Sequence, residues 1–106
     1  MRESTVEAYL HQQVVKAGGW TDKFSSPGRR NVPDRLVTWP GDDDERTKSR
    51  PFGSYRAEIH FVECKAPGKG ARAGQKRDHA RRRKMGCKVF VLDTKAKVNK
   101  YVRENS

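Results

Sequence analysis

The sequence predicts an α/β fold: a mixed β-sheet flanked by helices, in the order α-β-β-β-α-β-α. Three observations predict it. Apolar residues recur at helical spacing near both ends of the chain, beside residues that stop or start helices. Four short stretches between them are rich in β-branched and aromatic residues. The last of these strands is reached through a helix, which gives one parallel pairing beside a hairpin.

In chain order, Val6, Leu10, Val14 and Ala17 repeat at helical spacing, and Gly18-Gly19 ends the run. Residues 20–24 form a first strand, followed by the turn-rich Ser25-Ser26-Pro27-Gly28-Arg29-Arg30-Asn31. Residues 35–39 alternate Leu36 and Thr38 against Val37 and Trp39, the pattern of a second strand. Residues 40–54 hold Gly41, the acidic run Asp42-Asp43-Asp44-Glu45, Pro51 and Gly53. They read as a long exposed hairpin tip, with the acids solvated rather than holding a metal. Residues 57–66 are the strongest strand, containing Ile59, Phe61 and Val62, and Pro67-Gly68-Lys69-Gly70 breaks it. Residues 73–85 form a highly charged helix closed by Gly86, and residues 88–92 (KVFVL) a short buried strand. Asp93 or Thr94 then caps a last helix carrying Val98, Tyr101 and Val102.

A chain of 106 residues with 33% hydrophobic content has room for one domain, 1–106, with a thin core. Twenty-four Lys and Arg against 13 Asp and Glu give a formal charge of +11. Such a surplus attracts polyanions, nucleic acid above all, with strong salt dependence. The alternative, a basic membrane-surface binder, lacks its amphipathic lipid-binding helix. Cys64 and Cys87 sit in apolar runs and read as small core residues; two cysteines do not make a zinc site without nearby histidines. No apolar stretch approaches a membrane span, and MRESTVEAYLHQQ lacks the apolar run of a signal peptide, so a reduced, cytoplasmic location is expected.

Chemistry concentrates at two points. Pro33-Asp34 stands at the start of one strand and Glu63-Cys64-Lys65 near the end of the next. Alternation puts Glu63 and Lys65 on one face and Val62 and Cys64 on the other. Any half-buried strand shows that pattern, but Asp34 and Glu63 fall on neighbouring strands where their carboxylates can meet. Two carboxylates held close repel unless a proton or cation lies between them. Hard oxygen ligands suit Mg²⁺ or Mn²⁺, and Lys65 can place a water and offset phosphate charge. Those are the parts that phosphodiester hydrolysis needs. The D…ExK spacing is weak alone. The preceding Pro, the strand-end placement and Gln75 on a downstream helix strengthen it.

The stretches ESTVEAYL, KAGGW, KFSSPGRRNVPDRLV, HFVECKAPGKGARAGQ and MGCKVFVLDT resemble the virus-type replication-repair nuclease (VRR-NUC) domain of the PD-(D/E)xK superfamily, over residues 3 to 102. The resemblance implies a restriction-endonuclease-like core and a metal-dependent phosphodiesterase. Asp34 and Glu63 would be metal ligands, Lys65 the catalytic lysine and Gln75 the glutamine closing the site, with the Cys64 carbonyl completing the metal shell. A carboxylate from the first helix is also implied. Glu7 is the first choice for it and Glu3, one turn earlier on the same edge, the second; Glu7 alternatively closes a capping box with Ser4. The chain departs from the family pattern at Asn31, where Gly is usual, and at Cys64, where an aliphatic residue is. Small stand-alone members are similar to Holliday-junction resolvases, which implies a homodimer cutting four-way junctions. The competing reading is a catalytically inactive, basic nucleic-acid-binding module of the same fold.

Around this site, Arg77, Arg81 and Lys84 follow helical spacing, joined by Arg82 and Arg83. With Lys69 and Arg72 before them, they are the candidate phosphate contacts. Arg29, Arg30 and Arg35 flank Asp34 and border the same groove. His79, four residues after Gln75, reads first as a surface histidine and second as a contact to DNA or to a carboxylate behind the site. Trp20, Trp39 and Tyr55 read as core or interface rather than base-stacking residues.

Overall fold

A computed structural model describes residues 2–24, 33–41 and 57–106. Its elements are α1 (Glu3–Lys16), β1 (Trp20–Lys23), β2 (Arg35–Trp39), β3 (Glu58–Cys64), α2 (Ala73–Lys84), β4 (Lys88–Leu92) and α3 (Lys95–Asn105). The order is the expected one. The hairpin-tip residues 42–56 and the turn at residues 25–32 lie outside the described residues.

The four strands form one sheet in the order β1-β2-β3-β4. β1 with β2 and β2 with β3 are antiparallel, and β3 with β4 is parallel. The parallel pair is the one joined by a helix, because a parallel return needs a long crossover where an antiparallel one does not.

Alternation sorts the sheet into two faces. Val37, Trp39, Val62, Cys64 and Leu92 meet Val6, Leu10 and Val14 of α1 and Val98 and Tyr101 of α3 in one core. Each fully buried Val or Leu contributes roughly 1.5–3 kcal/mol, so the α1 stripe anchors that helix to the sheet. The opposite face, carrying Phe61 and Glu63, is covered by α2, whose Arg82 guanidinium lies 4.6 Å from the Phe61 ring centroid. The buried residues of α2 are Gln75, Asp78 and His79, all polar. This helix docks by hydrogen bonds and charge rather than by an apolar stripe.

The helix ends follow the sequence signals. Gly18 takes φ +96° after α1, where the Gly19 amide donates to the Val14 carbonyl at 2.9 Å, and Gly86 takes φ +97° after α2. The Thr94 hydroxyl caps α3 by accepting the Lys97 amide at 3.1 Å. The capping box with Ser4, the alternative reading of Glu7, does not form. Arg2 is the N-cap of α1, without a side-chain cap.

Trp39 is in the core, and Trp20 is 53% exposed, on the edge strand. Burial differs from expectation at two places. Cys87 is half-buried rather than in the core. His79, read first as a surface residue, is 1% exposed. A buried polar chain also runs through the core. Trp39 Nε1 donates to the Tyr101 hydroxyl at 3.1 Å, and that hydroxyl lies 2.7 Å from His60 Nδ1. Indole N–H only donates, so Tyr101 is the acceptor from Trp39, and which of Tyr101 and His60 donates to the other follows the imidazole tautomer. His60 Nε2 faces Glu58 Oε1 at 3.1 Å. Among the described residues no helix is long and apolar enough to cross a membrane.

Candidate active site

Asp34 immediately precedes β2, after a fully buried Pro33. The β2–β3 register pairs Arg35 with Val62, so the next step outward sets Asp34 beside Glu63. The Asp34 carbonyl accepts the Phe24 amide at 2.9 Å, and its side-chain Oδ1 accepts the Cys64 amide at 3.1 Å. Amides from two neighbouring segments thus fix this residue, one holding its backbone and the other its carboxylate. Glu63 is 3% exposed at the end of β3. The first turn of α1 brings Glu3 to the same point, and one carboxylate oxygen from each of Glu3, Asp34 and Glu63 lies within 4.8 Å of the others. They open on a cleft of about 550 Å³, also lined by Lys65, Lys69, Arg72 and Gln75.

Burial without neutralisation makes these acids weak. Burial raises Asp34 to about 6, aided by the charges of Glu7 and Glu3 and opposed by the Cys64 amide. Burial raises Glu63 to about 7, with the Asp34 carboxylate adding to it and Lys65 and Arg72 pulling back. Glu63 Oε1 is buried with no hydrogen-bond partner among the described residues.

The expected site residues divide as follows. Asp34, Glu63, Lys65 and Gln75 share the cleft. Gln75 Oε1 accepts the Arg72 amide at 2.9 Å, which ties the start of α2 to the cleft. The Cys64 side chain is in the core, and burial pushes its thiol pKa up; its amide holds Asp34. Glu7 is outside the acidic group: its Oε1 accepts Arg35 Nε at 2.8 Å, and both side chains are largely buried. The helix-one carboxylate that does join Asp34 and Glu63 is Glu3, the second choice from sequence. Arg35 donates its Nε to Glu7, so part of its guanidinium is committed within the fold. Lys69 and Arg72 are exposed in the cleft, and Arg77 and Arg81 are exposed on α2. Arg82 and Arg83 have structural partners: Arg82 Nε donates to Asp78 Oδ2 at 2.7 Å, and Arg83 to the Val89 carbonyl at 2.7 Å. Arg29 and Arg30 lie outside the described residues.

No family model matches the chain. A protein of Acyrthosiphon pisum secondary endosymbiont phage 1, named as nuclease p44, is 44% identical over 94 residues, covering 89% of this chain and 85% of the phage protein. A solved structure described as a VRR-NUC domain superposes with a TM-score of 0.73 at 30% identity, covering 98% of this chain and 97% of that one. The chain belongs to the VRR-NUC family. A VRR-NUC nuclease fold implies a divalent metal. The residues present suit such an ion. Three carboxylate oxygens form a hard donor set. Their 4.8 Å limit is near the ~4.2 Å that separates opposite ligands of a small octahedral cation. The raised pKa values of Asp34 and Glu63 mark carboxylate charge that a cation would compensate.

Proposed function

We propose that this VRR-NUC nuclease is a Mg²⁺- or Mn²⁺-dependent DNA endonuclease of the PD-(D/E)xK type. It acts inside the cell on branched DNA, four-way junctions above all, as a homodimer of single-domain chains spanning residues 1–106. The reading rests on one observation: three acidic oxygens within 4.8 Å of each other at the mouth of a cleft bordered by Lys65, Lys69 and Arg72.

Glu3, Asp34 and Glu63 would hold the cation, with the Cys64 carbonyl as a further donor. When bound, the cation supplies positive charge against the phosphate oxygens and acidifies the attacking water. Lys65 follows Glu63 by two residues and lines the same cleft, so its ammonium can orient that water and balance charge building on the phosphorane oxygens. Gln75 braces the α2 start through the Arg72 amide and lines the cleft. Lys69 and Arg72 take phosphates next to the scissile one, and Arg77 and Arg81, with Arg29 and Arg30, extend the basic track. Glu7 serves this site indirectly, by holding Arg35 beside Asp34. Two strands of a junction are cut symmetrically most simply by a two-fold dimer, one site for each strand.

The test is cleavage of labelled four-way junction, flap and linear duplex in Mg²⁺, Mn²⁺ or EDTA, with Asp34→Ala and Lys65→Ala in parallel. Metal-dependent cutting lost in both variants is expected. Cutting in EDTA, or cutting that survives both substitutions, overturns the assignment. Light scattering during gel filtration tests the dimer, and a 12.1 kDa species at assay concentration contradicts it.

A further inference from the structure

Behind Glu63, on the side of the sheet covered by α2, lies His79. Its side chain is almost wholly buried, and Nε2 faces Glu63 Oε1 at 3.6 Å. Neither atom has a hydrogen-bond partner among the described residues. Buried polar groups left unpaired are expensive, and here two of them face each other, one on the carboxylate proposed to hold a cation. His79 follows Gln75 by one helical turn, so both project from α2 toward the site. Gln75 Oε1 is engaged by the Arg72 amide, and His79 Nε2 faces the Glu63 carboxylate.

We propose that His79 is a positioning residue for metal binding: its Nε2–H donates to Glu63 Oε1 and turns Glu63 Oε2 toward the cation. The inference rests on the nuclease reading above. The gap of 3.6 Å closes to a hydrogen bond by a shift of about half an ångström, within the reach of a side-chain adjustment when a cation draws the carboxylate into place. An imidazole N–H donates without carrying charge, so it leaves the Glu63 charge intact for the metal. Metal-binding carboxylates held in this way lose roughly 10- to 100-fold in metal affinity when the supporting bond is removed.

The test compares Mn²⁺ affinity, by electron paramagnetic resonance of free Mn²⁺, in the wild type, His79→Leu, His79→Gln and Asp34→Asn. Metal-free melting curves accompany each. Leucine removes the donor, while glutamine returns an N–H near the position of imidazole Nε2. The expected result is an affinity loss of about 10-fold or more in His79→Leu, recovered to within about 3-fold of wild type in His79→Gln, with both variants folded. Wild-type affinity in His79→Leu overturns the proposal, as does an equal loss in both His79 variants, which would reflect packing alone. Asp34→Asn separates the two readings: if it too binds Mn²⁺ like the wild type, the metal site itself is misassigned. If only Asp34→Asn loses affinity, the site stands and His79 has no part in it.

Discussion

The backbone amide of Cys64 donates to Asp34 Oδ1 at 3.1 Å, tying β3 to the start of β2 where the two acids of the cleft repel. The bond lies beside Glu63, so the chain holds its own like charges together by a backbone clamp. Because a carboxamide oxygen accepts that bond as well as a carboxylate does, charge and clamp can be separated at this position.

Asp34→Asn is expected to lower cleavage on the order of 10³-fold or more, the size of losing several kcal/mol of charge stabilisation in the transition state. It keeps the Cys64 bond and removes a repelling charge, so metal-free stability at pH 8 should be equal or higher. Asp34→Ala loses the acceptor as well and should unfold about 1 kcal/mol more readily than Asp34→Asn. Urea titrations in EDTA check this, and equal stability of the two variants would show that the clamp contributes nothing.

The raised pKa values set a pH window. Asp34 titrates near 6 and Glu63 near 7 in the fold, against 3.8 and 4.5 as ordinary acids. Between those limits the folded chain holds more protons than the unfolded one, so stability falls as pH rises. These two groups stabilise fully below about pH 4, and their contribution is gone once the pH passes 7. A divalent cation competes with the same protons. The melting-temperature gain from Mn²⁺ over EDTA should be near zero at pH 5 and largest at pH 8, read by thermal melts across that range. A pH-independent gain would contradict it.

Glu3 and Glu7 stand one turn apart on one edge of α1 but do different work. Glu3→Gln should weaken Mn²⁺ binding about 10-fold or more with little change in stability. Glu7→Gln leaves a largely buried Arg35 without its carboxylate and should destabilise by about 1–3 kcal/mol. Arg35→Met with Glu7→Gln should recover part of that loss, since removing both partners of such a pair is milder than removing one. Calorimetric metal titrations beside urea unfolding tell them apart, and a reversed pattern would return the ligand role to Glu7.

The arginines of α2 divide in the same way. Arg77→Ala and Arg81→Ala remove exposed charges and should each reduce the slope of log K against log salt for duplex DNA by about 1. Arg82 is engaged by Asp78 and the Phe61 ring, so Arg82→Ala should lower stability by about 1 kcal/mol. Fluorescence anisotropy at several salt concentrations, with melts on the same samples, measures both. The assignment fails if Arg82→Ala alters the salt slope while Arg77→Ala does not.

The order of elements, the mixed sheet and the meeting of Asp34 with Glu63 were readable from the sequence. Strand alternation and capping are local rules, and neighbouring strands follow from connection lengths. The choice between Glu3 and Glu7 was not local. Both occupy the same helix edge, and the matter turns on Arg35, 28 residues away, which takes Glu7. His79 was misplaced for a related reason. The buried face of α2 is Gln75, Asp78 and His79, so no apolar period marks which side of this charged helix is inside. Trp20, read as core or interface, sits on the edge strand, more than half exposed.

Gly19 joins α1 to β1 through a contact that only glycine permits. A Cβ there would lie 2.8 Å from both Trp39 Cε3 and Val14 Cγ1 and 3.0 Å from the Thr38 carbonyl oxygen. All three are fixed: Val14 and Trp39 are core residues, and Thr38 belongs to a paired strand. Gly19→Ala must therefore push α1 away from the sheet, at about 1–3 kcal/mol. Gly18, with φ +96° but open space around its Cα, meets strain of conformation rather than of packing, so Gly18→Asn should be tolerated better than Gly18→Ala. Because α1 carries Glu3, displacement at its C-terminal end should also reach the acidic group, and Gly19→Ala should lose Mn²⁺ affinity along with stability. Urea unfolding and Mn²⁺ titration of the same variant measure both effects. A Gly19→Ala chain as stable as the wild type would mean that α1 does not pack this closely on the sheet.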